Sequence, residues 1–181
     1  MLAEPKQVLP NSAQRLEGKY LIFDVHGESY GIDVLKVREI IRLADITPVP
    51  QMPDYVRGVI NLRGKIVPVV DLRLRFGFTE TQNTEQTCII VALLKLADGK
   101  VNQMGLIVDG PEEVVNVAAA DIEETPDFGP GSFVEFILGM AKVKGVVKTL
   151  LDIDRVMAAE GRVVVQNAQA FCQSEIASAK K

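Results

Sequence analysis

The chain has 181 residues, with 20 basic and 24 acidic side chains and one histidine, giving a formal charge of −4. A hydrophobic content of 48% is too high for a disordered chain, two cysteines are too few for a disulfide framework, and no apolar run approaches the ~20 residues of a membrane-spanning helix. The first 19 residues lack the apolar stretch of a secretory signal, and the mild acidity argues against a general nucleic-acid binder.

A cytoplasmic protein is therefore expected, with residues 18–157 as its domain between a polar, mobile lead-in (1–17) and a tail (158–181). β-Branched residues carry the structural signal. The 24 valines and 14 isoleucines fall in short bursts separated by Gly, Pro, Asn and Asp, which predicts an all-β barrel or sandwich. Residues 20–25 read as a strand, His26-Gly27-Glu28 as a turn and 29–32 as a second strand. The segment 32–43 is ambiguous: apolar positions 34, 37 and 41 suit a helix, while 37–41 also tolerates extension. Prolines at 48, 50 and 53 exclude both helix and central strand from 46–53. Strands 55–62 and 65–70 come next, joined at Arg63-Gly64, and Asp71 caps a short helix over 72–76. The polar segment 77–86 reads as the seam between two halves.

In the second half, strands 87–94 and 103–108 flank an Asp98-Gly99 turn, and strand 113–117 comes after Asp109-Gly110-Pro111. A loop over 123–131 holds two prolines and two glycines. Residues 134–144 and 146–151 read as a hairpin turning at Gly145. Ser132 with Glu135 mimics a capping box, so a helix over 133–141 competes with the first of those strands. Asp152 or Asp154 opens a short helix ending near Ala159, and residues 160–181 read as either a frayed tail or a docking helix.

The chain offers little catalytic chemistry. His26 is the only histidine and sits in a predicted turn, so neither a triad nor a multi-histidine metal site is expected. Cys88 lies inside an apolar strand with no nearby cation in sequence and reads as a small core residue, and Cys172 has no partner motif. Asp127-Phe128-Gly129 matches the metal-binding triplet of protein kinases, but no accompanying kinase motif is present. Asp152-x-Asp154 lacks the sixth-position glycine of a calcium loop, since residue 157 is Met, and helix capping explains it better. No cofactor or metal is expected.

What remains is a density of small and charged residues within apolar strands, clearest in Val37-Arg38-Glu39-Ile40-Ile41 and in Gly58-Val59-Ile60-Asn61-Leu62-Arg63-Gly64. Composition alone reads Arg63 as a solvated turn arginine. The order from Tyr30-Gly31-Ile32-Asp33-Val34 through those two stretches to Ile66-Val67-Pro68-Val69-Val70-Asp71-Leu72-Arg73 resembles the CheW family, the chemotaxis coupling proteins of bacteria and archaea. Gly105-Leu106-Ile107-Val108-Asp109 and Leu150-Leu151-Asp152-Ile153-Asp154 agree with it.

The resemblance implies two interlocked five-stranded SH3-like barrels and no enzymatic activity. It implies an adaptor linking the cytoplasmic tips of methyl-accepting chemotaxis proteins to the histidine kinase CheA, by pairing with the kinase's CheW-like regulatory domain. By position, it places Val37, Glu39, Gly58, Arg63, Cys88 and Val114 at the receptor and Gly64 and Gly105 at the kinase. Cys88 departs from the family's more usual aliphatic residue. Flagellar, pilus-type and other arrays remain open alternatives. A barrel binding single-stranded nucleic acid is the rival from another class, but ten aromatics and no Trp supply few stacking platforms. The spacing of Val37 and Glu39 adds one expectation: extended, the two side chains share a face; helical, they diverge by roughly 200°.

Overall fold

The computed structural model describes residues 15–95, 98–123, 125 and 133–158. Along the chain run β1 (Gly18–Val25), β2 (Glu28–Asp33), β3 (Val37–Arg42), β4 (Val56–Leu62), β5 (Lys65–Asp71), helix α1 (Leu72–Arg75), β6 (Cys88–Lys95), β7 (Val101–Val108), β8 (Gly110–Val117), β9 (Ile122–Glu123), β10 (Ile137–Val143), β11 (Val146–Leu151) and helix α2 (Ile153–Ala158). Three hairpins turn on a residue–glycine pair with positive φ at both positions: His26-Gly27 (52°, 81°), Arg63-Gly64 (52°, 85°) and Lys144-Gly145 (51°, 78°). Such mirror-image turns match the right-handed twist of the strands they join.

The strands form two sheets. One has the order β8-β1-β2-β11-β10-β9 and the other β3-β6-β7-β5-β4. Pairing is antiparallel except for β2 with β11 and β5 with β7. The six-stranded sheet curls until Lys144, on the β10–β11 turn, pairs with Glu113 on β8 at 3.2 Å. The fold is all-β with few short helices, as expected. One sheet has the expected five strands; the other gains the two-residue β9 as a sixth.

Apolar runs without alternation belong to strands buried on both faces. β1 sends Tyr20 and Ile22 into the interior of the six-stranded sheet with Val115 and Leu150, and Leu21, Phe23 and Val25 into a core shared by the two sheets. β6 likewise sends Ile89 and Val91 into the five-stranded sheet with Ile60 and Val67, and Cys88, Ile90, Ala92 and Leu94 into the shared core. Each sheet thus has its own interior, and a third apolar layer joins them.

Chain and sheet do not divide where the sequence implied. The six-stranded sheet takes β1, β2 and β8 to β11, and the five-stranded sheet takes β3 to β7. The polar segment 77–86 joins α1 to β6 inside one sheet, because β7 lies between β5 and β6 and the connection must pass it. The crossings between sheets fall at the 3₁₀ turn Val34–Lys36 and at Asp109. Both ambiguous segments resolve as a 3₁₀ turn and then a strand. In the first, Asp33 Oδ1 accepts from Leu35 N at 2.9 Å and β3 begins at Val37. In the second, the turn Phe133–Phe136 leads into β10. The lead-in through residue 14, the Asp127-Phe128-Gly129 triplet and the tail from 159 lie outside the described residues.

One buried cation ties the crossing together. Arg73 is only 3% exposed. Its guanidinium donates to Asp71 Oδ1 and Oδ2 (2.9 Å each), Asp109 Oδ1 (3.1 Å), Asn83 Oδ1 (2.9 Å) and the Gln82 carbonyl (3.1 Å). All five N–H donors are used, and the hydrogen bond to Asp71 is the chief reason the guanidinium pKa rises. Asp109 Oδ2 accepts from His26 N at 2.6 Å, so the network reaches the β1–β2 turn.

Candidate functional site

β3 is an outer strand of the five-stranded sheet, and its pairing with β6 is irregular. Val37 lies opposite Ala92 and Glu39 opposite Val91, so Arg38 is an extra residue, a β-bulge. Ala92 faces the shared core and Val91 the interior of its own sheet. The segment is extended, as one alternative had it; the inserted residue breaks strict alternation between Val37 and Glu39, but both reach the depression described below. Val37 packs against the shared core. Glu39 meets Arg63: Nη1 donates to Oε1 at 2.7 Å and Nη2 to Oε2 at 2.8 Å.

This fork-on-fork pair joins a strand edge to a hairpin turn. Arg63 sits at φ 52°, and Asn61 Oδ1 braces the turn by accepting from Gly64 N at 2.9 Å. The Arg63 side chain is 74% exposed and that of Glu39 20%. An ion pair so open to water contributes at most about 1 kcal/mol to folding, so its main effect is geometric. Val37, Arg38, Glu39, Arg63 and Leu93 line one shallow depression, which brings together two apolar residues, two arginines and a carboxylate.

The other candidates lie elsewhere. Gly64 adjoins the depression in its turn, with nothing within 4 Å of the position a Cβ would take. Gly58 is buried on β4 at φ 138°, and a Cβ there would lie 2.0 Å from the Thr47 carbonyl oxygen. Thr47 and Val59 exchange two backbone hydrogen bonds of 2.9 Å across that contact. Gly105 is enclosed in β7, where a Cβ would meet Ile89 Cγ2 at 2.8 Å and Val69 Cγ2 at 3.3 Å. Cys88 is 6% exposed in the shared core, and burial pushes its thiol up to about 11. Val114 is 54% exposed on β8, the outer strand of the other sheet, opposite Leu21 of the shared core. The structure thus gathers Val37, Glu39 and Arg63, with Gly64 beside them, and leaves Val114 on the other sheet. Leu93 completes the depression without a sequence signal, since it lies in an apolar run that otherwise reads as core.

Among the described residues no group of His, Cys, Asp and Glu is arranged to hold a metal ion. A second depression is lined by Asp24, Asp109 and Glu112. Their carboxylates are engaged with Gly27 N, with Arg73 and His26 N, and with Ser29 and Lys148 respectively. No helix among the described residues is long and apolar enough to cross a membrane.

The model of the CheW-like domain family matches residues 19–161. The chain belongs to the CheW-like domain family. The chemotaxis protein CheW of Klebsiella aerogenes is 35% identical over 149 residues, covering 82% of this chain and 87% of that protein. The chemotaxis protein CheW of Rhizobium meliloti is 34% identical over 157 residues, covering 85% and 98%. The crystal structure of the scaffolding protein TtCheW from Thermoanaerobacter tengcongensis superposes with a TM-score of 0.69 at 30% identity, covering 81% of this chain and 96% of that one. A CheW-like domain is a scaffold rather than an enzyme, in keeping with the expectation from sequence, and the two-sheet SH3-like architecture agrees with that relative.

Proposed function

We propose that the chain is a cytoplasmic, non-enzymatic adaptor that couples chemoreceptors to the histidine kinase CheA in a chemosensory array. Membership in the CheW-like domain family and likeness to a scaffolding protein support the adaptor class. The observation that carries the site is the bidentate Arg63–Glu39 pair set against Val37 and Leu93. An amphipathic helix docks through apolar anchors while charges at the rim select its register, and this depression offers both on a rigid strand and turn. The receptor tip takes the depression, with Val114 contacting it from the six-stranded sheet. Gly58 and Cys88 act through packing. At the kinase contact, Gly64 is the exposed candidate and Gly105 supports it from within β7. A coupling protein of a pilus-type array would use the same surfaces.

The test is reconstitution of the complex. On gel filtration with a cognate CheA, the protein should co-elute only when the kinase carries its CheW-like regulatory domain. A receptor-tip fragment should move the amide signals of Val37, Glu39, Arg63 and Leu93. Co-elution with a kinase lacking that domain, or signals moving only outside the depression, would contradict this assignment.

A further inference from the structure

We infer that Asp154 is a positioning residue for the depression, a role that rests on the receptor-site assignment above. Asp154 lies on α2, outside the depression, yet its carboxylate touches the last residue of β6 and the side chain of the residue just before β3. Oδ2 accepts from Lys36 Nζ at 2.7 Å, and Oδ1 accepts from the backbone N–H of Lys95 at 2.9 Å. Lys36 ends the 3₁₀ turn and immediately precedes Val37. Lys95 ends β6, two residues beyond Leu93. β3 stops opposite Ala92, so β6 runs on past its neighbour, and Asp154 supplies the acceptor for Lys95 N there. One carboxylate therefore ties the Lys36 side chain, next to Val37, to the end of β6, two residues from Leu93.

The mount is itself rigid. Ile153, Val156 and Met157 of α2 are buried in the shared core. Asp152 Oδ1 accepts from Arg155 N at 3.2 Å in the first turn of the helix. Arg75 Nε donates to the Val156 carbonyl at 3.2 Å, with its guanidinium over the rings of Tyr55 and Phe136 at 5.2 and 5.1 Å. By contrast, the Lys36 and Asp154 side chains are 34% and 29% exposed, and an ion pair this open adds little to folding. A binding surface, however, needs its groups held to within about 0.5 Å, so the same contact matters far more to docking than to stability. Asp154 thus lets α2 set the spacing between Val37 and Leu93.

The test compares the full chain with Asp154→Ala, Asp154→Asn, Lys36→Met and the Lys36→Met/Asp154→Ala pair. Each is titrated with a receptor-tip fragment and, separately, with the CheA regulatory domain, and its melting temperature is measured. Asp154→Ala should weaken receptor binding roughly three- to tenfold while binding of the kinase domain stays within about twofold. The amide signals of Val37 and Leu93 should shift in the free protein. Asp154→Asn, whose amide oxygen still accepts from Lys95 N, should fall between wild type and Asp154→Ala, and the double variant should lose no more than Asp154→Ala alone. Wild-type receptor affinity in Asp154→Ala, or equal losses toward both partners with a collapsed melting temperature, would overturn the positioning role. If the wild-type chain binds the fragment, Arg63→Ala does not and Asp154→Ala binds normally, only the role of Asp154 fails. If the wild-type chain does not bind the fragment, the receptor site and this role fail together.

Discussion

Replacing Gly58 by alanine sets a methyl carbon 2.0 Å from the Thr47 carbonyl oxygen, 2.7 Å from its carbon and 2.9 Å from Pro48 Cα. All three are backbone atoms, so no rotamer change relieves the clash. The conformational cost at φ 138° is about 1–3 kcal/mol for a residue with a Cβ. Moving the 47–48 segment away also breaks the reciprocal Thr47–Val59 hydrogen bonds, at about 1 kcal/mol each. The sum is about 3–5 kcal/mol, a large share of the ~5–15 kcal/mol that holds an ordinary domain. At about 2–4 °C per kcal/mol for a domain of this size, the melting temperature should fall by about 6–20 °C. Gly64→Ala is the control, since φ is 85° there but nothing lies within 4 Å. It carries only the backbone term, about 1–2 kcal/mol. Thermal denaturation monitored by circular dichroism separates the two. If Gly58→Ala melted no lower than Gly64→Ala, the proline-rich segment would not sit on β4 as described, and Gly58 would regain its standing as a direct contact.

Arg73→Met should cost about 3–5 kcal/mol in a urea titration, because Asp71 is left buried without its cation, and Arg73→Lys should recover only part of that. Arg63→Ala should abolish receptor-dependent kinase coupling while lowering stability by no more than about 1 kcal/mol; full coupling would remove Arg63 from the site. Val37→Met and Glu39→Lys should each weaken receptor binding with little effect on folding, the carboxylate change more strongly at low salt, as read from titrations at two ionic strengths. In a Cys172→Ala background, Cys88 should react with a thiol reagent at pH 8 only as fast as the protein opens. Burial raises the Cys88 thiol from 9.0 to about 11, so the folded state holds that proton more tightly than the unfolded chain. Its contribution to stability is complete below pH 9 and is lost as pH rises toward 11, a decline that a melting series on Cys88→Ala should lack.

The local signals in the sequence transferred well where the physics is local. Residue–glycine pairs marked the turns at 26, 63 and 144, and β-branched bursts marked the strands they join. How those hairpins assemble was not legible, because the pairs that join them are non-consecutive strands: β5 and β7 lie parallel, and β8 returns to β1. Glu39 and Arg63 were each named, but their contact spans 24 residues and depends on a bulge at Arg38 that nothing in Val37-Arg38-Glu39 announces. Glycines were the hardest to read. Gly58, Gly64 and Gly105 look alike in strand-and-turn context, yet one lies under a crossing segment, one tops an open turn and one fills a gap in a core. Arg73 was visible only as part of a motif, since its partner Asp109 is 36 residues away.

The most direct measurement is receptor-dependent kinase activity in a reconstituted system of receptor-bearing membranes, CheA and this protein. Autophosphorylation should rise only when the protein is added, change when a receptor ligand is supplied, and stay at its basal level with Arg63→Ala although that variant still binds the kinase. Receptor control of the kinase without this protein, or undiminished control with Arg63→Ala, would contradict an adaptor that works through the Arg63–Glu39 depression.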